Sequence, residues 1–410
     1  MTTRTDRTTL VLAAILVPLA IATVAGLALL WPVGEPPRTG IVDMPTEYPT
    51  ATVVSISEED CSGENEDRLP DGTIPERVPC VRVLAEVAGT DGQVVQVWAP
   101  ATVAASDVPP GTEIVLSRFL ATPTEPEVWA WYDFSRTVPL GALAAAFALV
   151  VIAVAGVRGF RALVGLVVAF GVIGVFMLPA LLRGEDPLAV GLVGSAAIMF
   201  VVLYLAHGFN RRTTAALLGT FAGLGATAVL GVVAARAAHL TGIATEDSYR
   251  LAMLTGHLDS EGLRGILLAG IVLAGLGVLN DVTITQAAAV WELRAADPGL
   301  TWRGLFSGGM RIGRDHIAST VYTIAFAYAG AALPVLLLLE VYKLPFWQTI
   351  SSGEFAEEIV RTLVGSIGLV LAIPLTTVIA AVIVSAAPPG HGRRRRGGEL
   401  PGHAHVHSTV

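Results

Sequence analysis

Lysine is almost missing from this chain: Lys343 is the only one among 26 basic residues. Cysteine is nearly as rare, with Cys61 and Cys80 alone. Aromatic residues make up 7% and charged residues 15% of the 410 positions, with a net charge of -8. No basic groove accompanies so few cations, which excludes a nucleic-acid partner. The signatures G-x-S-x-G and H-E-x-x-H do not occur, so no enzyme is expected from Ser, His and Asp alone. No cofactor and no resident metal is implied.

Apolar residues are abundant instead, at 53% with a mean hydropathy of +0.66. A soluble domain lies nearer 45–50%. Several runs exceed the roughly 18 apolar residues that mark a membrane-crossing helix. The fold class expected is a membrane protein, a mainly α-helical bundle of about eight transmembrane helices. A small β-barrel domain, OB-like, is expected between the first and second spans.

Arg4 and Arg7 precede an apolar run from Leu10 to Trp31. It is too long for a signal-peptide core and no A-x-A site follows, so residues 1–32 read as an uncleaved anchor. Residues 33–137 change to a period-two pattern. Strands are expected at Ala51–Ile56, Val81–Val87, Gln93–Ala99, Glu113–Phe119 and Val128–Tyr132, with a hairpin turn at Ala88–Gly92. The acidic run Glu58, Glu59, Asp60, Glu64, Glu66, Asp67 reads as a solvated loop. Seven further spans are expected within 138–386, at about 138–157, 162–182, 187–207, 213–235, 263–291, 317–340 and 359–386. Residues 387–410 read as a disordered basic tail carrying His403, His405 and His407.

Arginine clusters fall on one side of these spans: Arg158 with Arg161, Arg211 with Arg212, the group from Arg294 to Arg314, and Arg393 to Arg396. That asymmetry places both termini in the cytoplasm and residues 33–137 outside the cell membrane. In that compartment Cys61 and Cys80 can pair, and a disulfide is favoured over two free thiols. The loop from His239 to Gly262 holds His239, Glu246, Asp247, His257 and Asp259 at a spacing that matches no metal motif, and reads as ordinary loop chemistry. Residues 297–316 mix arginines with Leu300, Trp302, Phe306 and Ile312, as an interfacial segment does.

The most informative stretch is Gly277 to Pro334. Asp281, Thr285 and Glu292 are spaced by four and seven and share one helix face. A charge so near a span costs roughly 2.5–3.5 kcal/mol on insertion scales, which asks for a partner or water. Arg314 could turn inward and neutralise Asp281 or Glu292, or could meet anionic headgroups. Asp281, Thr285, Glu292, Arg314, Asp315 and Thr323 form the candidate ion or solute site. Thr283 and Tyr328 could add oxygens. Glu358 and Arg361, with Glu357 beside them, form a candidate outer gate. Leu263 to Asn280 already covers about 27 Å as a helix, so Asp281 could instead sit at the inner boundary.

GVLNDVTITQ, Glu292, SGGMRIGRDHIASTVYTIAFAYAGAALP and EEIVRTLVGSIGLVLAIPLTT resemble the YibE/F-like membrane proteins, most strongly over residues 263–386. The matching positions are Asp281, Glu292, Gly313, Arg314, Asp315, Thr320, Thr323, Pro334, Arg361, Gly365, Gly368, Pro374 and Thr376. Tyr322-Thr323 departs from the Asn or Thr pair expected there. The resemblance implies a multi-spanning bacterial membrane protein without a settled activity. NDVTITQAAAVWELR has a weaker likeness to the secretion-motor subunit SecF and its permease relatives, which relay protons through a comparable acid. The expected function is a transporter or permease for an unknown small solute or ion. Its partners would be the lipid bilayer and a homo-oligomeric or other membrane partner. The alternative is a non-transporting assembly or signalling component whose β domain binds a partner or cell-wall ligand.

Overall fold

The computed structural model describes residues 7–34, 45–63, 65–69, 71–123, 126–255, 260–343 and 345–386. Glu64, His257, Asp259 and the tail with its three histidines lie outside these residues. The chain divides into two compact units, residues 40–156 and residues 1–39 with 157–410.

The first unit is built on an antiparallel sheet. β1 (Thr46–Glu47), β2 (Thr50–Cys61), β3 (Val78–Val87), β4 (Val94–Trp98), β5 (Glu113–Phe119) and β6 (Val128–Phe134) contribute. The order is β1-β5-β2-β3-β4, and β6 also pairs with β5. Alternate residues point inward, as the pleat requires. Val81, Val83, Ala85 and Val87 on β3 are buried, and Val83 pairs with Val97 and Ala85 with Val95 across to β4. Ile114, Leu116, Val53 and Val108 complete this core. Register shifts at Val53/Ser55 and Val115/Leu116 bend β2 and β5. Such bulges raise the local twist and curl the sheet into a half-barrel. Among the described residues no ladder joins β4 to β6, so hydrogen bonding leaves the barrel open there.

β2, β3 and β6 run longer than the alternation implied, β5 has the expected bounds, and β4 is one residue shorter at each end. β2 extends through the acidic run to Cys61, where Arg82 on β3 pairs with Glu59 at 2.8 Å. Part of that run is therefore strand, because a cross-strand cation satisfies it. The turn between β3 and β4 places Gly89 and Gly92 at φ of 77° and 80°, a region that favours glycine.

Helix α1 (Arg7–Leu29) opens the chain, and α2 (Thr137–Val172) follows the sheet. A π-helical turn, Ile173–Met177, leads from α2 into α3 (Leu178–Leu182). Residues 158–161, expected as a loop between two spans, are helical. The helical path is broken instead at Gly156, with φ 58° and ψ -138°.

The second unit continues with α4 (Pro187–His207), α5 (Arg211–Ala237), α6 (Glu246–Thr255), α7 (Ser260–Ala296), α8 (Trp302–Ala331), α9 (Leu333–Tyr342), α10 (Phe346–Ile350) and α11 (Gly353–Ala386). Asp186, Asn210 and Thr301 cap α4, α5 and α8 by accepting from backbone N–H groups three residues on. Among the described residues, six helices are long and apolar enough to cross a membrane, or seven if α8 and α9 form one bent element. The span expected at 317–340 is bent by 68° between α8 and α9. The stretch 302–316, expected as an interfacial segment, forms the first half of α8.

Candidate functional site

Helix α7 is the hub of the second unit, packed against α4, α5, α8 and α11. Leu279, Val282, Thr283, Gln286, Ala287 and Val290 form its buried face. Thr283 Oγ1 lies 2.7 Å from Thr220 Oγ1 on α5. Gln286 Nε2 donates to the Gly309 carbonyl of α8 and to Thr377 Oγ1 of α11, each at 2.7 Å. Thr377 Oγ1 donates in turn to the Ile373 carbonyl at 2.6 Å. These bonds satisfy groups that cannot be left bare in an apolar interior.

Glycine makes the approach possible. A methyl group at Gly313 would meet Ile373 at 2.6 Å, and one at Gly309 would meet Thr377 at 2.8 Å. At Gly219 and Gly368 it would collide with Thr376 and Thr227. Close backbone approach is the usual role of small residues between apolar helices.

The candidate residues chosen from the sequence lie elsewhere on these helices. Asp281, Thr285 and Glu292 do share a face of α7, and that face is exposed. Thr285 donates to the Asp281 carbonyl at 2.7 Å. Arg314, Asp315 and Thr323 on α8 are exposed too, and Thr323 bonds to the Ser319 carbonyl. Among the described residues Asp281, Glu292, Arg314 and Asp315 make no ion pair, so the structure does not bring the acids and Arg314 together. Val282 and Ile317 meet in one apolar cluster with Ile324 and Leu369, which fixes the relative level of α7 and α8.

One residue before Asp281, Asn280 is half-buried and its Oδ1 has no hydrogen-bond partner. Asn280 lines a cavity of about 430 Å³ with Phe170, Met199, Leu273 and Gly277. A buried acceptor without a partner keeps the capacity to take a proton donor.

A second cluster sits where α11 begins. Arg361 Nε lies 3.6 Å from Glu358 Oε2, a half-exposed pair of small energetic weight. Glu354, Glu357, Tyr328 and Phe355 line a cavity of about 250 Å³ with them. Glu357 is 8% exposed and accepts the Gly242 N–H at 2.9 Å. Gln286 and Glu357 are the residues that sequence reasoning undervalued. The signal for Gln286 was a long polar side chain inside an apolar helix; Glu357 stood among the charges of the first turns of α11, and nothing in its spacing marked it as the buried one.

In the sheet unit a disulfide joins Cys61 to Cys80. Arg118 on β5 donates to Glu47 on β1 and to Glu127 beside β6, each at 3.1 Å. The Arg118 hydrogen bond, aided by the Trp129 indole, holds the Glu127 carboxyl below the usual carboxylate range. The Arg136 hydrogen bond does the same for Asp133. Among the described residues no three His, Cys, Asp or Glu side chains gather as metal ligands.

Residues 143–386 match the model of the YibE/F-like protein family. No curated protein and no solved structure matches the chain. The matched stretch takes in more than half of the chain, including the Gln286 network, the exposed acids of α7 and the start of α11. The chain therefore belongs to the YibE/F-like family.

Proposed function

We propose that this chain is a permease-like transporter of the cell membrane, not an enzyme, moving a small solute or ion. The observation that carries this reading is the pairing of Asn280 and Asp281. Asn280 carries a buried oxygen without a hydrogen-bond partner and lines a 430 Å³ cavity, and Asp281 beside it holds an unpaired carboxylate on an apolar helix. Ionisable residues at such positions are retained for ion or proton pathways more often than for stability. The glycine-tight contacts among α5, α7, α8 and α11 argue for a rigid scaffold, with the path running beside it.

In this proposal the bundle has eight spans. The 46 residues from Thr137 to Leu182 reach about 69 Å as helix, enough for two spans separated at Gly156. Both termini are cytoplasmic, residues 33–137 form an extracytoplasmic OB-like domain, and residues 387–410 a cytoplasmic tail. The strand order supports the OB-like description: a β2-β3-β4 meander, with β5 on the other edge of β2 and β6 beyond it. Asp281, Thr285, Glu292, Arg314, Asp315 and Thr323 are the proposed solute or ion site, and Glu358 with Arg361 the outer gate. The partners are the bilayer and another membrane chain or copy; nucleic acid and cofactors have no part in it.

The exposure of Asp281 favours a second reading, a non-transporting assembly component in which that face meets a partner. Ion and metabolite profiling of a deletion strain, complemented by wild type or Asp281→Asn, tests the choice. Transport is expected to fail in the variant at normal abundance, with a solute or ion accumulating. Full rescue of export by Asp281→Asn would sink the transport reading.

A further inference from the structure

The loop between α5 and α6, residues 238–245, is held at two points. Arg264 on α7 donates Nε to the Leu240 carbonyl at 2.7 Å. Two residues on, the Gly242 N–H donates to Glu357 Oε1 on α11 at 2.9 Å. Gly242 has φ +76° and lies so close to the Leu263 carbonyl and the Arg264 nitrogen that a side chain there would collide with backbone. The segment is thus a strap drawn across the ends of α7 and α11. The same Glu357 lines the 250 Å³ cavity, with Thr245 from the end of the strap. One buried carboxylate therefore does two things: it pins a strap and it faces a cavity.

We infer that Glu357 is a proton-operated latch, whose protonation from the cavity releases the strap at Gly242 and opens that end of the bundle. The inference rests on the transport reading, and it makes Glu357 a positioning residue of the proposed gate. A carboxylate accepts the Gly242 N–H as a charge-assisted bond; a neutral acid keeps only a weaker acceptor and gains a proton that needs its own acceptor. The groups facing Glu357 are few. Arg361, Glu354 and Glu358 stand on its own helix and Tyr328 on α8. Arg264 on α7 is engaged with Leu240, and His239 on the strap is exposed. Arg361 is shared with Glu358, so it does not hold Glu357 ionised by itself. Arg264 needs no proton change, so the strap stays tethered at Leu240 and swings from there.

Hydrogen exchange of the full chain in lipid nanodiscs, without added solute, tests the latch. Exchange in peptides covering 238–245 is compared at about pH 8 and about pH 5, corrected for intrinsic amide chemistry. Wild type is expected to exchange about 10- to 100-fold faster at the lower pH, the loss of one charge-assisted hydrogen bond. Glu357→Gln mimics the protonated acid and takes up no proton, so it should exchange fast at both pH values, without the wild-type response. Glu357→Ala should be unprotected at both. His239→Gln should respond as wild type does. The latch is overturned if wild type shows no response, if Glu357→Gln keeps the full response, or if His239→Gln abolishes it. Should Glu357→Ala fail to fold, the wild type and the Gln variant still decide. An intact exchange response with no solute flux would defeat the transport reading and leave the latch standing.

Discussion

Gln286 on α7 and Thr377 on α11 lie 91 residues apart in the chain and are joined by a hydrogen bond of 2.7 Å. The same amide nitrogen also reaches the Gly309 carbonyl, so one side chain ties three helices. Replacing it by leucine keeps bulk and removes the donor. Hydrogen bonds between helices in apolar surroundings average well under 1 kcal/mol, but this residue makes two and is fully enclosed. Gln286→Leu is expected to lower stability by about 1–2 kcal/mol. Reversible unfolding in mixed micelles measures it, and an unchanged midpoint would show the network to be incidental.

Gly368 and Thr227 make one of the close contacts between α11 and α5. A methyl at position 368 would strike the Thr227 hydroxyl, which already bonds to the Gly223 carbonyl at 3.0 Å. Gly368→Ala is expected to destabilise the bundle by about 1–3 kcal/mol through overpacking. Thr227→Ala removes the obstructing oxygen and should restore most of that loss. The double-mutant cycle should therefore return a coupling of about 1 kcal/mol or more. Additive effects would mean that the helices accommodate the methyl elsewhere.

Arg118 bridges Glu47 and Glu127 and also lies 5.3 Å over the Trp129 ring, which ties β1 and β6 to β5. Glu127 has its pKa lowered chiefly by the Arg118 hydrogen bond, and Asp133 by the Arg136 hydrogen bond. A carboxylate lowered on folding contributes stability above its unfolded pKa. That contribution is lost as pH falls through the lowered folded value. The sheet should thus be insensitive to pH between about 5 and 8 and loosen below about 4. Arg118→Gln should flatten the acid limb. High salt should do so in part, because the groups are exposed. Tryptophan fluorescence of the full chain during acid titration follows it, and an identical limb in the variant would assign the acid response to other groups.

Cys61 and Cys80 close a loop with a sequence separation of 19. In the chain-entropy model such a cross-link stabilises by about 3 kcal/mol. Protein from an oxidising compartment should resist maleimide labelling until reduced, and Cys61→Ser should unfold the sheet at lower denaturant. Labelling without reductant would place the sheet in a reducing compartment and reverse the proposed topology.

The lengths of apolar runs and the alternation in residues 51–132 were legible without coordinates, because burial follows period two in strands and a minimum length in membrane-crossing helices. Segment edges were not. Gly156, rather than Arg158 and Arg161, breaks the long helix, because a backbone break needs unusual torsions and charge alone does not stop a helix. The spacing of Asp281, Thr285 and Glu292 revealed a shared face and nothing about which way it points.

By itself the sequence settled the family, the apolar helices and the pairing of a β-rich segment with a helical one, since these depend on composition and local periodicity. Only the tertiary structure decided that Thr283 and Gln286, not Asp281 and Thr285, face α5, α8 and α11. It also brought Glu357 to Gly242, 115 positions away. The reason is physical: a helix has one periodicity but many possible neighbours, and the side it buries is chosen by whichever helices pack against it.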